Sequence, residues 1–147
     1  MKRQINIGML LAIGLLIAGA GHPRQAWSDN SCSLRTLKGT YVYHCSGVHL
    51  GSGQAASVAF AGQDHYNGDG TLTGVYSFSE NGAISRNISY TGTYTVNPDC
   101  TGAVTTVDEN GVVGHLDLVF GRDGDEVSFM VTDGGVVDAA VERRVGK

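Results

Sequence analysis

One stretch of this 147-residue chain has the residue types of a calcium-binding loop. In HYNGDGTLTGVY, from His65 to Tyr76, the N-G-D-G core matches the middle of an EF-hand. On that template His65 and Tyr76 occupy ligand positions that suit neither residue, and the acid that closes the loop is missing. A short Asn/Gly/Asp loop between strand-like runs is typical of a β-hairpin. We therefore predict a hairpin and no metal ion; a weaker calcium hypothesis has the acidic turns NGDG, GRDGDE and VDENG gather at one rim.

The hairpin interpretation also predicts which side chains face one another. A loop from Asn67 to Thr71 sets Tyr66 opposite Leu72, and Asp64 then lies opposite Gly74. Because side chains alternate between the two faces of a strand, Asp64 shares the face of Tyr66. The sequence therefore predicts that this carboxyl group points toward the interior.

Asp64 and Arg86 form the charged pair that this arrangement brings inward. A second loop, residues 79–83, places Arg86 opposite Tyr76, on a row next to that of Asp64. The pair has two interpretations: a buried or rim salt bridge that fixes strand register, or a polar anchor for a ligand in an otherwise apolar cavity. Under the second interpretation the predicted ligand-binding residues are the two charged residues and four tyrosines: Asp64, Arg86, Tyr41, Tyr76, Tyr90 and Tyr94.

Other catalytic or metal-binding patterns are weak. The four histidines after the N-terminal segment form neither H-x-x-x-H nor H-E-x-x-H, so no zinc site is predicted: His44, His49, His65 and His115. No G-x-S-x-G motif supports a serine nucleophile. Cys45 shares a predicted strand face with Tyr41 and Tyr43, which indicates an inert buried thiol. We predict no cofactor.

The three cysteines predict one disulfide in an oxidising compartment. Cys45 lies within a strand-like run, whereas Cys32 precedes the first predicted strand and Cys100 lies in the turn NPDC. The two loop cysteines, Cys32 and Cys100, are the predicted pair. The alternative is three free thiols.

Residues 1–28 are predicted to be a secretory signal peptide. Lys2 and Arg3 precede an apolar run, Ile5 to Ala20, that is shorter than a membrane-spanning helix needs and is followed by small residues. Cleavage after Ala20 or after Ser28 is possible, and the second leaves a polar spacer after the apolar run. The mature protein is then exported, either periplasmic or secreted, with no stable membrane insertion after signal removal.

The charge of the mature chain argues against anionic partners. Residues 1–28 carry three of the ten basic side chains and none of the fourteen acidic ones, so seven remain against fourteen, a net charge near −7. Such a surface repels phosphate backbones and anionic lipid headgroups. We predict no nucleic-acid partner.

From residue 38 onward the chain alternates runs rich in Val, Thr, Tyr and Phe with clusters of Gly, Asn and Asp, which is the pattern of strands and turns. Eight strands are predicted, at residues 39–48, 56–66, 72–79, 84–96, 102–108, 112–120, 126–132 and 136–144. Period-two alternation gives several of them one apolar face.

Eight short strands joined by hairpins favour a sheet that closes on itself, because closure leaves no edge strand with unpaired backbone groups. We predict an all-β fold, an eight-stranded antiparallel up-and-down β-barrel, with a β-sandwich as the alternative. Residues 29–38 form the N-terminal lead-in and residues 39–147 the single barrel domain.

Three stretches carry a resemblance to a known family: LKGTYVYHCSG, NGDGTLTG and YTGTYTVNPDCTG. With them the chain resembles, from Leu37 to Arg144, small secreted bacterial proteins related to the allene oxide cyclase barrel-like proteins, which belong to the calycin-type barrels. The resemblance implies a barrel that holds an apolar molecule, since the plant cyclase folds an unstable oxylipin inside its barrel and the related dirigent proteins steer bound radicals. No catalytic position of either matches this chain, and Asp64 stands where the group has an aliphatic residue.

Three function hypotheses follow. The leading one is a secreted protein that binds a small apolar or amphipathic ligand in the barrel. The second is an isomerase or cyclase that acts on a reactive apolar substrate in the same cavity. The third is a structural or surface interaction module without a pocket, and the volume inside the barrel separates it from the other two.

Overall fold

The computed structural model describes residues 31–51 and 54–147, and it contains eight β-strands in that part of the chain. In chain order they are β1 (Gly39–Leu50), β2 (Ala55–Tyr66), β3 (Thr71–Glu80), β4 (Ala83–Val96), β5 (Thr101–Asp108), β6 (Val113–Phe120), β7 (Glu126–Val131) and β8 (Val136–Gly146). A short 3₁₀ helix, Leu34–Leu37, precedes β1 and is called the lead-in helix below. The predicted signal peptide lies outside the described residues. Within residues 31–51 and 54–147, no helix combines the length and apolarity needed to span a membrane.

Each strand pairs antiparallel with its neighbours in sequence, and β8 pairs antiparallel with β1, which closes the barrel. The closing ladder runs from Thr40 opposite Gly146 to His49 opposite Val136. The predicted eight-stranded up-and-down barrel is therefore confirmed, and the sandwich alternative is wrong. Closure pairs the backbone groups that the two edge strands of an open sheet leave free.

The hairpin that resembles a calcium loop has the predicted register. Tyr66 lies opposite Leu72, and Asp64 lies opposite Gly74. In the turn, Asp69 Oδ1 accepts hydrogen bonds from the backbone N of Thr71 at 2.9 Å and from its Oγ1 at 2.7 Å. These bonds hold the pKa of Asp69 below its usual value. The carboxylate therefore stabilises the turn.

The turn NPDCT at residues 97–101 repeats this arrangement. Asp99 Oδ1 accepts from the backbone N of Thr101 at 3.2 Å and from its Oγ1 at 2.7 Å, and Asn97 Nδ2 donates to the same Oγ1 at 2.9 Å. Asn67 makes the equivalent bond to Thr71 in the first turn. The shared pattern N-x-D-x-T is a local signal for a tight turn.

The acidic turns do not gather at one rim, so that form of the calcium hypothesis is wrong. The turns at residues 67–70 and 121–125 lie at the barrel end next to the lead-in helix, whereas the turn at 108–112 lies at the opposite end. Among the described residues, no group of three or more His, Cys, Asp and Glu side chains is arranged to hold a metal ion.

The predicted register of the β3–β4 hairpin is wrong. The loop is only Asn81-Gly82, whose φ angles of 48° and 89° fit a two-residue hairpin turn. An extra residue in β4 then forms a bulge at Arg86 and Asn87, because Tyr76 pairs with Ile88 instead of Arg86. Because the shorter loop pairs Phe78 with Ser85, the next residue, Arg86, points to the outside of the barrel, where it is exposed.

The lead-in helix closes one end of the barrel. Leu37, the last residue of this helix, is completely buried. The hydroxyl of Tyr94 donates a hydrogen bond to the carbonyl of Leu34 at 2.9 Å. The disulfide between Cys32 and Cys100 ties this segment to the β4–β5 turn, which confirms the predicted pair. We call this the closed end.

Arg144 fastens the closed end from the opposite side of the barrel. Its Nη2 donates to the hydroxyl of Tyr41 at 2.7 Å and to the carbonyl of Thr36 at 2.5 Å, and its Nη1 pairs with Asp125 at 3.0 Å. Tyr41 in turn donates to the carbonyl of Gly124 at 2.6 Å. The guanidinium group therefore joins the lead-in helix, β1 and the β6–β7 turn.

Candidate ligand-binding cavity

The half of the barrel away from the lead-in helix contains a cavity of about 180 Å³. It reaches the open end, where Asp108 and Val112 line it, and it extends down to Leu72 and Tyr66 above the closed end. Its apolar wall includes Leu116. An engineered apolar cavity of roughly 150 Å³ binds benzene, so this space can accept a ring-sized molecule.

Two buried carboxyl groups lie at the floor of the cavity. Asp64 on β2 and Glu142 on β8 are 5% and 2% exposed, and their carboxyl groups are in hydrogen-bonding contact. Tyr90 donates its hydroxyl to Asp64, and Tyr66 donates to Glu142 Oε1 at 3.4 Å. The hydroxyl of Tyr43 lies 3.3 Å from that of Tyr90 and extends the network. We call Asp64 and Glu142 the carboxyl pair.

The carboxyl pair must hold a proton to stay in contact, because two ionised carboxylates are both acceptors. Burial raises the pKa of Asp64, and the hydrogen bond from Tyr90 opposes this rise. Burial raises the pKa of Glu142 further, and the neighbouring Asp64 charge adds to the rise. The two groups therefore titrate as a pair above the usual carboxyl range.

The tyrosines around the pair stay protonated at neutral pH. Burial is the largest cause of the raised pKa in Tyr43, Tyr66 and Tyr90, and the charge of Asp64 raises all three further. Their hydroxyl groups are thus available as hydrogen-bond donors and acceptors.

An aromatic wall runs from the open end toward the carboxyl pair. The rings of Phe60 and Phe78 stack with centroids 5.0 Å apart, and Phe60 packs against Tyr76 at 6.0 Å. Tyr76 then contacts Tyr90 edge-on at 5.8 Å. His49 packs on Phe78 at the top of this row, with centroids 6.2 Å apart. Of these rings, Phe60, Tyr76 and Tyr90 line the cavity, so a ligand that enters from the open end passes them.

Two further acids line the upper part of the cavity. Asp138 is 4% exposed, and its Oδ2 lies 3.5 Å from Nε2 of His49. Burial raises the pKa of Asp138, which His49 partly offsets. Asp108 accepts a hydrogen bond from the hydroxyl of Tyr76 at 3.1 Å. Among the described residues, no lysine or arginine lines the cavity.

Two cavity tyrosines place the hydroxyl end of their ring against a glycine of the neighbouring strand. Tyr43 covers Gly62, and Tyr90 covers Gly74. A Cβ atom at Gly74 would collide with the Tyr90 ring and come within 2.6 Å of Asp64 Oδ1. The missing side chain therefore gives Tyr90 its place beside Asp64.

We expect Gly74→Ala to lower the free energy of unfolding by about 2 kcal/mol, because overpacking forces the Tyr90 ring out of position. Gly114→Ala is the matched control, since it is another strand glycine whose added Cβ meets only Thr106 Oγ1 at 3.0 Å, a side chain that can rotate. Urea denaturation measures both. Equal losses in the two variants would contradict the packing role of Gly74.

The structure separates the predicted ligand-binding residues into three groups. Asp64, Tyr76 and Tyr90 line the cavity. Tyr41 and Tyr94 are buried at the closed end, where their hydroxyls bond to the backbone, so they do not line it. Arg86 lies outside because the β3–β4 loop is shorter than predicted, which shifts the register by one residue, and the predicted Asp64–Arg86 juxtaposition is wrong.

Sequence reasoning missed Glu142, Asp138 and Tyr43. Along β8, residues 138, 140, 142 and 144 share one face, but they are more polar than residues 137, 139 and 141 opposite. Hydrophobic alternation thus favours the wrong face of β8 as the inner one. The residue that could have identified Glu142 as inward-facing is Tyr43. It lies on the inward face of β1 with Tyr41 and pairs with Glu142 in the closing ladder.

Cys45 is a free cysteine in the cavity wall. Burial raises its pKa to about 11, and the charge of Asp138 contributes. The thiol is therefore protonated at neutral pH and a poor nucleophile.

These features define the class of the protein: a closed eight-stranded antiparallel barrel that is capped at one end and has an acidic, aromatic-walled cavity toward the other. Among solved structures it is similar to a redesigned β-barrel, mFAP1, bound to DFHBI. The TM-score is 0.51 at 18% identity, over 76% of this chain and 98% of that one. This likeness supports the small-barrel fold. No protein-family model matches the sequence, and no curated protein matches it.

Proposed function

We propose that the protein binds a small ligand with an apolar or aromatic body inside the open half of the barrel. The observation that carries the proposal is the cavity of about 180 Å³, walled by aromatic and aliphatic side chains with polar groups at its floor. Such a combination is typical of small-molecule sites, in which a few polar groups fix the orientation of an apolar body. The similar barrel mFAP1, solved with DFHBI bound, supports the use of this architecture for ligand binding.

The proposed location is outside the cytoplasm. The Cys32–Cys100 disulfide indicates an oxidising compartment. Export through the predicted signal peptide, to the periplasm or the medium, is part of the proposal, and so is a relationship to the allene oxide cyclase barrel-like proteins. The cavity argues against the third hypothesis, a structural or surface interaction module, because the barrel interior of such a module would be filled by its own side chains.

The carboxyl pair favours a second candidate function, an isomerase or cyclase. Carboxyl groups that share a proton can act as general acid and general base on a bound substrate. In this role Asp64 and Glu142 would transfer protons to and from the ligand. A binding protein returns its ligand unchanged after long incubation, whereas an isomerase converts it, so mass spectrometry of co-purified and re-incubated ligands separates the two.

We expect Leu116→Trp to weaken binding of neutral aromatic probes, because the indole ring of the new side chain fills the cavity. Calorimetric titration with indole measures this, and we expect the affinity to fall by about tenfold or more, the factor that corresponds to losing roughly 1.4 kcal/mol of contacts. Leu116 is half-buried in the cavity wall, so the added ring enters existing space.

Val119→Trp is the matched control. Val119 lies on the same strand but is 61% exposed on the outer face, so its replacement leaves the cavity unchanged. Equal indole affinity in the wild type and both variants would mean that the probe binds elsewhere, and the proposed site would be wrong. Filling the same space from another strand with Val131→Phe guards against local unfolding around Leu116.

A further inference from the structure

We propose that the ligand of this barrel is an organic cation, an ammonium group on an aromatic or apolar body, and that Asp64 and Glu142 bind the ammonium group at the cavity floor. This inference rests on the proposed function, since it assigns the chemistry of the ligand at that same site. Three observations carry it: buried acceptors without a fixed donor, no lysine or arginine among the described residues that line the cavity, and the aromatic wall.

The cavity presents buried acceptors without donors. Glu142 Oε2 and Asp138 Oδ1 are both inaccessible to solvent, and apart from the proton shared within the carboxyl pair neither receives a hydrogen bond from the described part of the chain. Buried acceptors are nearly always paired, because desolvation without a partner is costly. Once the carboxyl pair loses the proton that it shares, a replacement donor for Glu142, which is 2% exposed and lines the cavity, has to come from the cavity space. An ammonium group has three donors and no acceptor, which matches this need.

The charges around the cavity are of one sign. Asp64, Glu142, Asp138 and Asp108 line it, and none of the described basic side chains, arginine or lysine, does so. Arg144 is engaged at the closed end by Tyr41, Thr36 and Asp125. An anionic ligand would meet only like charge here, whereas a cation is attracted along the whole path. The cavity therefore selects against carboxylate and phosphate ligands.

The aromatic wall supports the same ligand class. Phe60, Tyr76 and Tyr90 follow one another from the open end to the carboxyl pair at ring separations of 5.8 to 6.0 Å. The face of an aromatic ring attracts cations, and the attraction grows where water is excluded. Rings above and carboxylates below suit a molecule with an apolar body and a cationic head.

Binding of a cation competes with the proton that the carboxyl pair holds. The ammonium group replaces that proton, which leaves to solvent, so the affinity rises with pH as the free pair loses its proton more easily. The groups that face the pair are Tyr43 on β1, Tyr66 on β2 and Tyr90 on β4, all with raised pKa values. Cys45 and Asp138 lie higher in the cavity, with His49 beside Asp138.

The test uses three probes with one ring and different charge: 2-phenylethylamine, 2-phenylethanol and phenylacetate. Calorimetric titration of the full protein at pH 7.5 is expected to give the amine about tenfold tighter binding than the alcohol, since charge-assisted hydrogen bonds are roughly twice as strong as neutral ones. Phenylacetate is expected to bind more weakly than both. Repeating the titration at pH 5.5 should weaken the amine and leave the alcohol unchanged or slightly tighter.

Glu142→Gln keeps the shape of the side chain and removes its charge, and Asp64→Asn does the same for its partner. We expect either variant to bring the amine within about threefold of the alcohol and to remove the pH effect, because the charge-assisted bond is lost. Asp117→Asn, on the exposed outer face of β6, is the control and should keep the wild-type preference.

The outcomes distinguish the two proposals. If none of the three probes binds at millimolar concentration, both the proposed function and this inference are wrong. If the alcohol binds as well as the amine, or phenylacetate binds best, the barrel is a ligand-binding protein and only the cation assignment is overturned. If the amine preference survives in both Glu142→Gln and Asp64→Asn, the carboxyl pair is not the ammonium site.

Discussion

Replacing Cys32 and Cys100 together with serine is expected to lower the free energy of unfolding by about 4 kcal/mol, because the disulfide closes a loop with a sequence separation of 68 residues. Chain-entropy estimates increase with loop length, and this loop contains the whole of β1, β2, β3 and β4. A loss of this size is a large part of the stability of a typical domain.

The structural consequence of losing the disulfide is concentrated at the closed end. The backbone N of Cys32 donates to the carbonyl of Pro98 at 3.1 Å, and the lead-in helix that follows covers the core. Without the disulfide these contacts compete with the conformational freedom of the segment that precedes β1. We therefore expect faster hydrogen exchange at Leu37 and Tyr94 before the rest of the barrel opens.

Denaturant titration of the oxidised wild type against Cys32→Ser/Cys100→Ser checks the predicted loss of stability. Cys45→Ser is the control, because Cys45 is free and half-buried, and we expect it to change the free energy of unfolding by less than about 1 kcal/mol. A double variant as stable as the wild type would mean that the lead-in segment adds little to the barrel.

The strands and turns of this barrel follow from local sequence, and so does part of the site. Turn clusters such as NGDGT determine the turn geometry through Asx-type hydrogen bonds. The β2–β3 register and the inward position of Asp64 could therefore be predicted from the sequence. The β3–β4 register was not predicted, because the loop is the two residues Asn81-Gly82 and β4 then has one extra residue opposite Ser77, at Arg86 and Asn87. The shorter loop turns Arg86 outward and removes its predicted role in ligand binding.

The inner face of β8 is not predicted by the sequence analysis, and hydrophobic alternation alone would have suggested the wrong face. Hydrophobic alternation places valines 137 and 141 inside, yet they are 61% and 39% exposed, while Asp138 and Glu142 are buried. The pairing of β8 with β1 sets this face, and that contact joins the two ends of the domain. A strand whose inner face is polar contradicts the general rule of apolar interiors, and such contradictions concentrate at functional sites. The missed residues are therefore the ones on which the proposed site depends.

We expect the protein to lose stability as the pH rises from about 5 to 8, which is opposite to the behaviour of proteins whose acids are salt-bridged. The folded pKa values of Asp64 and Glu142 are raised, mainly by burial. The folded state therefore binds more protons than the unfolded state above the unfolded pKa, roughly pH 4. The stabilisation is complete below that pH and is lost as the pH rises through the folded pKa values. Each proton held only by the folded state changes the free energy of unfolding by about 1.4 kcal/mol per pH unit.

Three other acids make the protein less stable as the pH decreases, and their effect appears at lower pH. Hydrogen bonds hold the pKa of Asp69, Asp99 and Asp133 below the usual value, so the stability they contribute is lost as the pH falls below about 4. Maximum stability is therefore expected between about pH 4 and 5. Urea denaturation at one-unit steps from pH 3.5 to 7.5 would trace both arms of this curve.

The double variant Asp64→Asn/Glu142→Gln isolates the high-pH arm. It keeps the volume of both side chains and removes their titration, so we expect a nearly flat curve from pH 5 to 8 and a more stable protein than the wild type at pH 7.5. Asp117→Asn, exposed on the outer face, should leave the slope unchanged. If the wild type is most stable at pH 7.5, or the double variant keeps the wild-type slope, then the carboxyl pair carries no shared proton. A weaker pH dependence of the free energy of unfolding that remains in the double variant would come from Asp138, the other buried acid with a raised pKa.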